Sequence, residues 1–337
     1  MKFLNEIKNI YKRREFVIII FILLVSLISG IKNPTFFSPN NWIDLGKANS
    51  ILLIVALGQM IVITTGGIDL SVSSVVALSG MVVAMIMAKN NQIPLIVLAL
   101  IGMAVGLFCG FINGLIIGKG KVPPLITTLG TLAIYRGMAV VISKSQWVTS
   151  NQMTDSFRKI ARGATLGINN LIFLAIIFSI IFFYFMGYTR IGREMYAYGG
   201  NKEAAKFAGI SSERTNYIAF SISGAIAGIA GLLWVSRFDL ALPLAAKGFE
   251  LLTIAACVVG GASVFGGIGT VVGTVLGAIL LGVILNALEL VGVGDLYKNG
   301  IYGFVILLAV LFDAVILKRV SENLRRNRRL SKKVKNN

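Results

Sequence analysis

The residues with the clearest capacity for chemistry lie in the polar segment 64–74, which reads TTGGIDLSVSS between two apolar stretches. A carboxylate such as Asp69 costs about 2.5–3.5 kcal/mol at the middle of a membrane span, so we expect it to face water or protein rather than lipid. Alternatively, Asp69 or Ser71 caps the following helix by accepting hydrogen bonds from its first free amides. We favour the cap over direct contact with a solute, and a capped half-helix beside a pathway satisfies both interpretations.

A second glycine-rich break follows later in the chain, at 260–269, where the sequence is GGASVFGGIG. Paired interruptions of apolar segments are typical of transporters built from two related halves. Broken helices persist at membrane depth only where protein or water satisfies the freed backbone groups. We therefore expect both breaks to lie inside the protein, and we predict a two-half pseudo-symmetry.

Glycines at a spacing of four form two further patterns, which place small residues on one helix face and let another helix approach closely. The first consists of Gly102, Gly106, Gly110, Gly114 and Gly118, and the second of Gly269, Gly273 and Gly277. Packing within the chain is the favoured interpretation, and contact between two copies is the alternative. Asn113, beside the first glycine face, is a candidate for a pathway or interhelical hydrogen bond.

Several kinds of chemistry are excluded by composition. The chain has no histidine, which removes His-ligated metal sites and Ser-His-Asp triads. Its two cysteines, Cys109 and Cys257, are isolated in apolar stretches, and we expect both to be packing residues. The segment 114–120 has the wrong spacing for an ATP-binding loop. We predict no catalytic residue, no metal site and no cofactor bound by this chain, so that any energy from ATP comes from another chain.

The elements that must position these residues are apolar helices. Of 337 residues, 56% are hydrophobic and 14% are charged, compared with about 25% charged in typical globular domains. Ten apolar segments approach the length of a membrane span. They predict an all-α, polytopic membrane protein with about ten transmembrane helices, at 16–31, 48–66, 70–88, 93–117, 122–142, 168–188, 217–236, 250–265, 267–290 and 299–317.

The distribution of basic residues predicts the orientation. With the N-terminus inside, the loops and tails assigned to the cytoplasm hold 21 of the 32 Lys and Arg residues, and the outside loops hold 10. The excess inside places both termini in the cytoplasm. We accordingly divide the chain into a cytoplasmic segment 1–15, a transmembrane domain 16–317 and a basic cytoplasmic tail 318–337. The tail is expected to touch anionic lipid rather than nucleic acid.

The longest inside loop, 189–216, contains a predicted short helix that Asn201 caps and Gly209 ends. A helix of about eight residues is marginal in water on its own, so its apolar side chains need a surface to rest on. That surface is either a groove on another protein or the lipid headgroup region, and the residues alone do not separate the two.

Taken together, these elements resemble the membrane-spanning permeases of bacterial ATP-binding-cassette (ABC) importers for ribose-type monosaccharides, over roughly residues 16–317. The segment 66–72 is similar to the signature of that family, although Ser73 stands where a glycine is common. The segment 192–210 resembles the family's cytoplasmic coupling loop, and the segment 248–261 is similar to a third family block. Segments 128–137 and 234–238 look most like the corresponding segments of permeases for rhamnose or autoinducer-2.

The resemblance implies a multi-pass protein of the bacterial cytoplasmic membrane, without its own ATP site, that imports a monosaccharide or small polyol. Its implied partners are an ABC ATPase subunit that binds ATP and Mg, an extracytoplasmic sugar-binding protein, and a second permease subunit that is either identical or related. It favours a protein groove for the short helix. The residues that it assigns to contact with the ATPase are Gly192, Arg193, Gly199, Gly200, Asn201, Glu203, Ala204, Ala205, Phe207 and Gly209.

A neutral polyhydroxyl solute requires hydrogen-bonding groups along its path. The candidates are Thr64, Asp69, Ser71, Ser73, Asn113, Thr127, Thr128, Arg136, Glu250 and Asn286. Serine and threonine in helices often bond to their own backbone instead. Arg136 either lines the path or extends toward the interface, with Glu250 or Asp239 as its partner. The alternative function is ion- or proton-coupled secondary transport through the carboxylates of Asp69, Glu289 and Asp313.

Overall fold

The computed structural model describes residues 2–292 and five further positions, 297, 300, 303, 304 and 307, and it describes side-chain burial from residue 15 onward. Twelve α-helices lie in the continuous part: α1 Lys2–Lys32, α2 Pro39–Thr64, α3 Val72–Lys89, α4 Leu95–Gly118, α5 Pro124–Ser143, α6 Asp155–Arg162, α7 Asn170–Tyr188, α8 Arg190–Gly200, α9 Lys202–Phe207, α10 Ser212–Phe238, α11 Phe249–Val259 and α12 Val271–Leu290. Four two-residue strands form two antiparallel pairs, β1 Val148–Thr149 with β4 Leu240–Ala241, and β2 Ala164–Thr165 with β3 Ile168–Asn169.

Eight of the helices in the described residues are long and apolar enough to cross a membrane, which confirms the prediction of an all-α, polytopic membrane protein. The predicted full span at 250–265 is wrong. Its helix, α11, has 11 residues, or about 16 Å at 1.5 Å per residue, roughly half of a 30 Å hydrocarbon core. Apart from positions 300, 303, 304 and 307, the predicted span 299–317 lies outside the described residues, as do the tail 318–337 and Asp313.

Helix α2 forms the centre of the bundle. Every residue from 49 to 65 is buried, as expected for a helix that is apolar on all sides. Helices α7, α10, α11 and α12 pack around it. The outer helices are different, because α1, α4, α5 and α7 leave most of their surface uncovered by protein. Their large apolar side chains are therefore available to lipid.

The first glycine face packs within the chain, as predicted. Gly106 lies against the backbone of Gly224 and Gly228 on α10, and Gly110 lies against Phe220 and Gly224. A Cβ atom added at Gly106 would be 2.7 Å from the Cα of Gly228, closer than real Cβ atoms come to backbone. Helices α4 and α10 are therefore in direct backbone contact, a spacing that only small residues permit.

The second glycine face also packs within the chain. Gly273 lies against the backbone of Gly260, and Gly277 lies against Ala256 and Gly260. Helix α12 thus returns alongside the half-length helix α11, and the break at 260–269 is the turn between them. The proposed relation between the two halves of the chain stays a prediction.

The two ends of the bundle differ in structure. At the predicted outer end, α6 packs on α10 because Ser236 Oγ donates to the carbonyl of Phe157 at 2.7 Å and accepts from the amide of Ala161 at 3.1 Å. At the predicted inner end, Thr270 Oγ1 donates to Glu15 Oε1 at 3.3 Å. The inner end also carries α8, α9 and both glycine-rich breaks.

We expect Gly106→Ala to lower the free energy of unfolding by about 1–3 kcal/mol, because one added carbon must push α4 away from α10. The matched control is Gly130→Ala on α5, where no atom of the described residues lies within 4 Å of an added Cβ atom. The control should be neutral or stabilising by up to about 1 kcal/mol. Thermal unfolding in detergent measures the stability of both variants. Equal changes in stability for the two variants would contradict the backbone contact between α4 and α10.

Candidate functional site

Asp69 is buried at the break between α2 and α3, with 1% of its surface exposed. Its Oδ1 accepts hydrogen bonds from the amide of Ser71 at 2.9 Å and from Ser71 Oγ at 2.6 Å. The predicted cap is thus only partly right. Asp69 holds the residue that precedes α3 rather than an amide of its first turn, and the Ser71 side chain makes no capping bond to the helix.

A chain of buried hydrogen bonds extends from this carboxylate to three other helices. Asn113 Nδ2 donates to Ser71 Oγ at 2.8 Å, and Tyr135 Oη lies 3.2 Å from Asn113 Oδ1. On the other side, Ser223 Oγ donates to Asp69 Oδ2 at 3.4 Å. The network therefore joins the start of α3 to α4, α5 and α10. We call Asp69, Ser71, Asn113, Tyr135 and Ser223 the polar hub.

The backbone of the first break is also bonded to neighbouring helices. The side-chain amide of Gln59 on α2, oriented to pair donors with acceptors, contacts the carbonyl of Asp69 at 3.1 Å and its amide at 3.2 Å. Thr128 Oγ1 donates to the carbonyl of Ile68 at 3.0 Å. These contacts satisfy groups that would otherwise be unpaired at membrane depth.

The two breaks and the predicted coupling loop meet at the inner end. The amide of Gly267 donates to the carbonyl of Thr64 at 2.8 Å. Tyr196 Oη on α8 donates to the carbonyl of Gly269 at 2.8 Å. Gly199, near the end of α8, lies so close that an added Cβ atom would be 2.6 Å from the Gly267 nitrogen and closer still to the Thr64 carbonyl. Helix α8 therefore touches both breaks through backbone.

The structure gathers some of the predicted path residues and separates others. Asp69, Ser71 and Asn113 are in the polar hub, and Ser73 is buried beside it. The three threonines bond to their own helices, Thr64 to Met60, Thr127 to Pro123 and Thr128 to Pro124. Asn286 is not near this group. It exchanges two hydrogen bonds with Asn41 near the outer end of α2.

Arg136 on α5 is half-buried and links two parts of the chain. Its guanidinium donates to the carbonyl of Ala245, in the outer segment before α11, and to Ser73 Oγ at 3.2 Å. The prediction of Asp239 as its partner is wrong, because Asp239 pairs with Arg162. Glu250 interacts with Arg136 only electrostatically, without an ion pair among the described residues.

Some of the residues predicted to contact an ATPase are buried or half-buried in this chain, and the others are exposed. Asn201 caps α9, as predicted, by accepting from the amide of Ala204 at 3.0 Å. Ala205 is buried, with 4% of its surface exposed, whereas Phe207 is 91% exposed. The remaining residues are placed as follows: Gly192 is buried, Gly199 is half-buried, and Arg193, Gly200, Glu203, Ala204 and Gly209 are exposed.

Three important residues escaped the sequence analysis as individual candidates: Gln59, Ser223 and Tyr135. Gln59 was detectable in principle, because a glutamine within an apolar span must find a buried partner. Ser223 and Tyr135 carry no such signal. Serine is common at small-residue faces, and tyrosine is common near membrane interfaces.

Comparison with known proteins gives a consistent result. The family model described as branched-chain amino acid transport system / permease component matches residues 47–310. The ribose import permease protein of Haemophilus influenzae is 37% identical over 92% of this chain and 97% of its own, and that of Escherichia coli is 36% identical over 88% and 92%. The autoinducer 2 import system permease protein of Photorhabdus laumondii is 31% identical over 96% of each chain. No solved structure is significantly similar.

The fold and these matches define a membrane transport permease, the component of a transport system that spans the bilayer. The chain belongs to the family described as branched-chain amino acid transport system / permease component. It is a multi-pass protein of the cytoplasmic membrane. By overall identity it is more similar to the two ribose permeases than to the autoinducer 2 permease, so identity does not favour the finer resemblance to autoinducer-2 permeases.

We expect Asp69→Leu to lower the free energy of unfolding by about 1–3 kcal/mol for each of the two Ser71 donors that it leaves buried without an acceptor. Asp69→Asn is the matched control. It keeps an oxygen for Ser71 and turns its NH₂ group toward the Ser223 hydroxyl, so it should cost only about 1 kcal/mol. Thermal unfolding of both variants checks this, and equal losses would mean that the hydrogen bonds to Ser71 do not carry the effect.

Proposed function

We propose that this chain is the transmembrane subunit of an ABC importer that moves a monosaccharide or related small polyol into the cytoplasm. A separate ATPase subunit, which binds ATP and Mg, drives the movement, and an extracytoplasmic binding protein delivers the solute. A second permease subunit, identical or related, completes the path. Family membership and the names of the relatives, which are permeases of ribose and autoinducer 2 importers, support this proposal.

The observation that carries the proposal is the backbone contact between α8 and the two breaks. Gly199 lies against Thr64 and Gly267 without an intervening side chain. A displacement of α8 therefore has to displace the ends of the breaks, because close-packed backbone cannot absorb it by changing a rotamer. The polar hub begins at Asp69, a few residues beyond Thr64. Movement imposed on the coupling loop would thus reach the hub directly.

Phe207 is the residue of α9 that we propose to contact the ATPase. A phenylalanine that is 91% exposed on a six-residue helix contributes little to the packing of the described part of this chain. Burying it in a partner's groove stabilises a complex by about 1.5–3 kcal/mol. Ala205, on the opposite side of α9, instead attaches the helix to its own core.

A neutral polyhydroxyl solute suits the polar groups in the bundle. Ser71, Ser73 and Asn113 offer hydroxyl and amide groups rather than a fixed charge. Their bonds in this structure are internal, so a solute would be recognised only when the hub rearranges. We propose that this rearrangement occurs when α8 moves. Without ATPase action α8 stays in place, the internal bonds of the hub persist, and the path stays closed.

The alternative function, secondary transport coupled to ions or protons, relies on Asp69, Glu289 and Asp313. Glu289 is exposed near the end of α12, and Asp69 is held by three hydroxyl or amide donors in the interior. Neither arrangement offers a pair of carboxylates that exchange a proton along the described part of the bundle. Family membership also favours the importer over this alternative.

We expect Phe207→Asp to reduce the amount of ATPase subunit that co-purifies with this chain from its native membrane by about ten- to a hundredfold. Leu166→Asp is the matched control. Leu166 is 86% exposed, but it lies between β2 and β3 at the opposite end of the bundle. Quantitative mass spectrometry of the purified complexes measures both variants.

Reconstituted uptake of labelled sugar separates the two functions. An importer requires ATP on the cytoplasmic side together with the binding protein, whereas a secondary transporter works with an ion gradient alone. Uptake without ATP, or equal ATPase recovery with Phe207→Asp and the unmodified chain, would contradict the proposal.

A further inference from the structure

A cavity of about 600 Å³ opens at the inner end of the molecule, within the size range of about 300–1,000 Å³ that small-molecule sites occupy. Its walls come from the first break at residues 65–67, the connection between α4 and α5, helices α8 and α9, and the first turns of α10. None of the predicted path residues lines it. The cavity is therefore separate from the polar hub, although the two share the first break.

The lining of the cavity is strongly cationic. Lys121 from the α4–α5 connection and Lys202 and Lys206 from α9 all line it, against one carboxylate, Glu213. Among the described residues, no carboxylate lies within 4 Å of any of the three ammonium groups. The ammonium group of Lys202 lies over the ring of Tyr198, 5.5 Å from the ring centre. Three cations in one cavity repel each other, and an anionic ligand relieves that repulsion.

The backbone around the cavity also favours an anion. Helix α5 begins at the cavity wall, and no side chain caps its N-terminus, where Pro123 and Pro124 line the cavity. Helix α10 also begins there, at Ser212, but Ser211 Oγ caps it by accepting from the amide of Arg214, and Glu213 lies in its first turn. The N-terminus of a helix carries a partial positive charge and attracts phosphate and carboxylate groups. The uncapped N-terminus of α5 therefore adds to the potential of the three lysines.

Beside the apolar side chains of Ile117, Val122, Pro123 and Pro124, the lining also offers neutral polar groups that suit a hydroxylated ligand. Thr65, Ser212 and Tyr198 contribute hydroxyl groups, and Asn216 contributes an amide. The side chains of Tyr198, Ser212 and Asn216 already form a small network, with 2.7 Å between the two hydroxyls and 3.3 Å from Asn216 Nδ2 to Tyr198 Oη. This network fixes the positions of these three side chains in advance of binding.

We propose that this cavity binds the phosphate ester of a polyhydroxyl compound. The ammonium groups would hold the phosphate, which lysine binds as a point charge, and the hydroxyl and amide groups would bind the hydroxylated part. The volume exceeds what inorganic phosphate alone would fill. Two sources share this chemistry: a soluble sugar phosphate from the cytoplasm, and the headgroup of an anionic phospholipid such as phosphatidylglycerol, since basic pockets on the cytoplasmic side of membrane proteins bind such headgroups.

The position of the cavity gives binding a consequence for transport. A phosphate held by Lys121 and by the lysines of α9 would tie α9 to the α4–α5 connection and to the first break. It would resist the movement of the coupling loop and so lower transport. This consequence rests on the proposed function, whereas binding itself does not.

The test is direct binding to the full-length chain in nanodiscs of neutral phosphatidylcholine. Ribose 5-phosphate is titrated by calorimetry, with ribose as the uncharged control. In a second arm, native mass spectrometry counts the phosphatidylglycerol molecules that stay bound after extraction from mixed vesicles. The variant Lys121→Gln, Lys202→Gln, Lys206→Gln should weaken binding in the active arm by about tenfold or more, since it removes charge-assisted contacts.

The matched control is Lys89→Gln, Lys119→Gln, Lys144→Gln, which removes the same charge from exposed lysines that do not line the cavity. Binding of ribose 5-phosphate alone supports a soluble ligand, and retention of phosphatidylglycerol alone supports a lipid ligand. Binding of neither probe, or equal loss in both triple variants, overturns the proposal and leaves the lysines to an acidic surface of a partner protein. Because no transport is measured, these outcomes do not depend on the proposed function.

Discussion

Where a helix is interrupted at membrane depth, its free backbone amides and carbonyls have no water to bind and must bond to protein. The arrangement of this protein depends on how its two glycine-rich breaks satisfy these groups. The first break bonds to α2 through Gln59 and to α5 through Thr128. The second break bonds to the first, because the amide of Gly267 donates to the carbonyl of Thr64, and to α8, because Tyr196 Oη donates to the carbonyl of Gly269. These bonds fix where α2 ends, where α12 begins and where the coupling loop rests.

Close packing of glycine faces makes the polar hub achievable. Backbone contact between α4 and α10 lets both helices lie beside the first break, so that Asn113 on α4 bonds to Ser71 and Ser223 on α10 bonds to Asp69. With larger side chains along that face, the helices would stand farther apart and could not both reach the pair formed by Asp69 and Ser71. The small residues therefore allow the hydrogen bonds as well as the close packing. The hydrogen bonds are needed because a buried carboxylate is tolerated only where donors surround it.

The inner end combines two properties that a driven permease needs. Helix α9 presents Phe207 outward and fastens itself inward through Ala205, so it can receive a partner without losing its own support. Helix α8 is in backbone contact with both breaks at Gly199, and we propose that motion passes to them through this contact. The basic cavity lies between these helices and the α4–α5 connection. An anion bound there would act on the contact between α8, α9 and the first break. We propose that this one small region combines attachment of the ATPase, transmission of its movement and control by an anion.

The sequence by itself determined the features that are local or periodic: an all-α membrane protein, eight of the spans, the intrachain glycine faces and the cap at Asn201. Apolar length, a spacing of four and a capping residue are each contained in a short stretch of chain. Only the tertiary structure decided that the two breaks touch, that α11 ends at Val259 and that Arg136 bonds to a carbonyl. The physical reason is that these features rest on partners distant in sequence, such as Asp69 and Ser223, which are 154 residues apart. Average hydropathy does not detect that the chain turns back after α11 instead of crossing the membrane. Only folding brings donors and acceptors that are distant in sequence together.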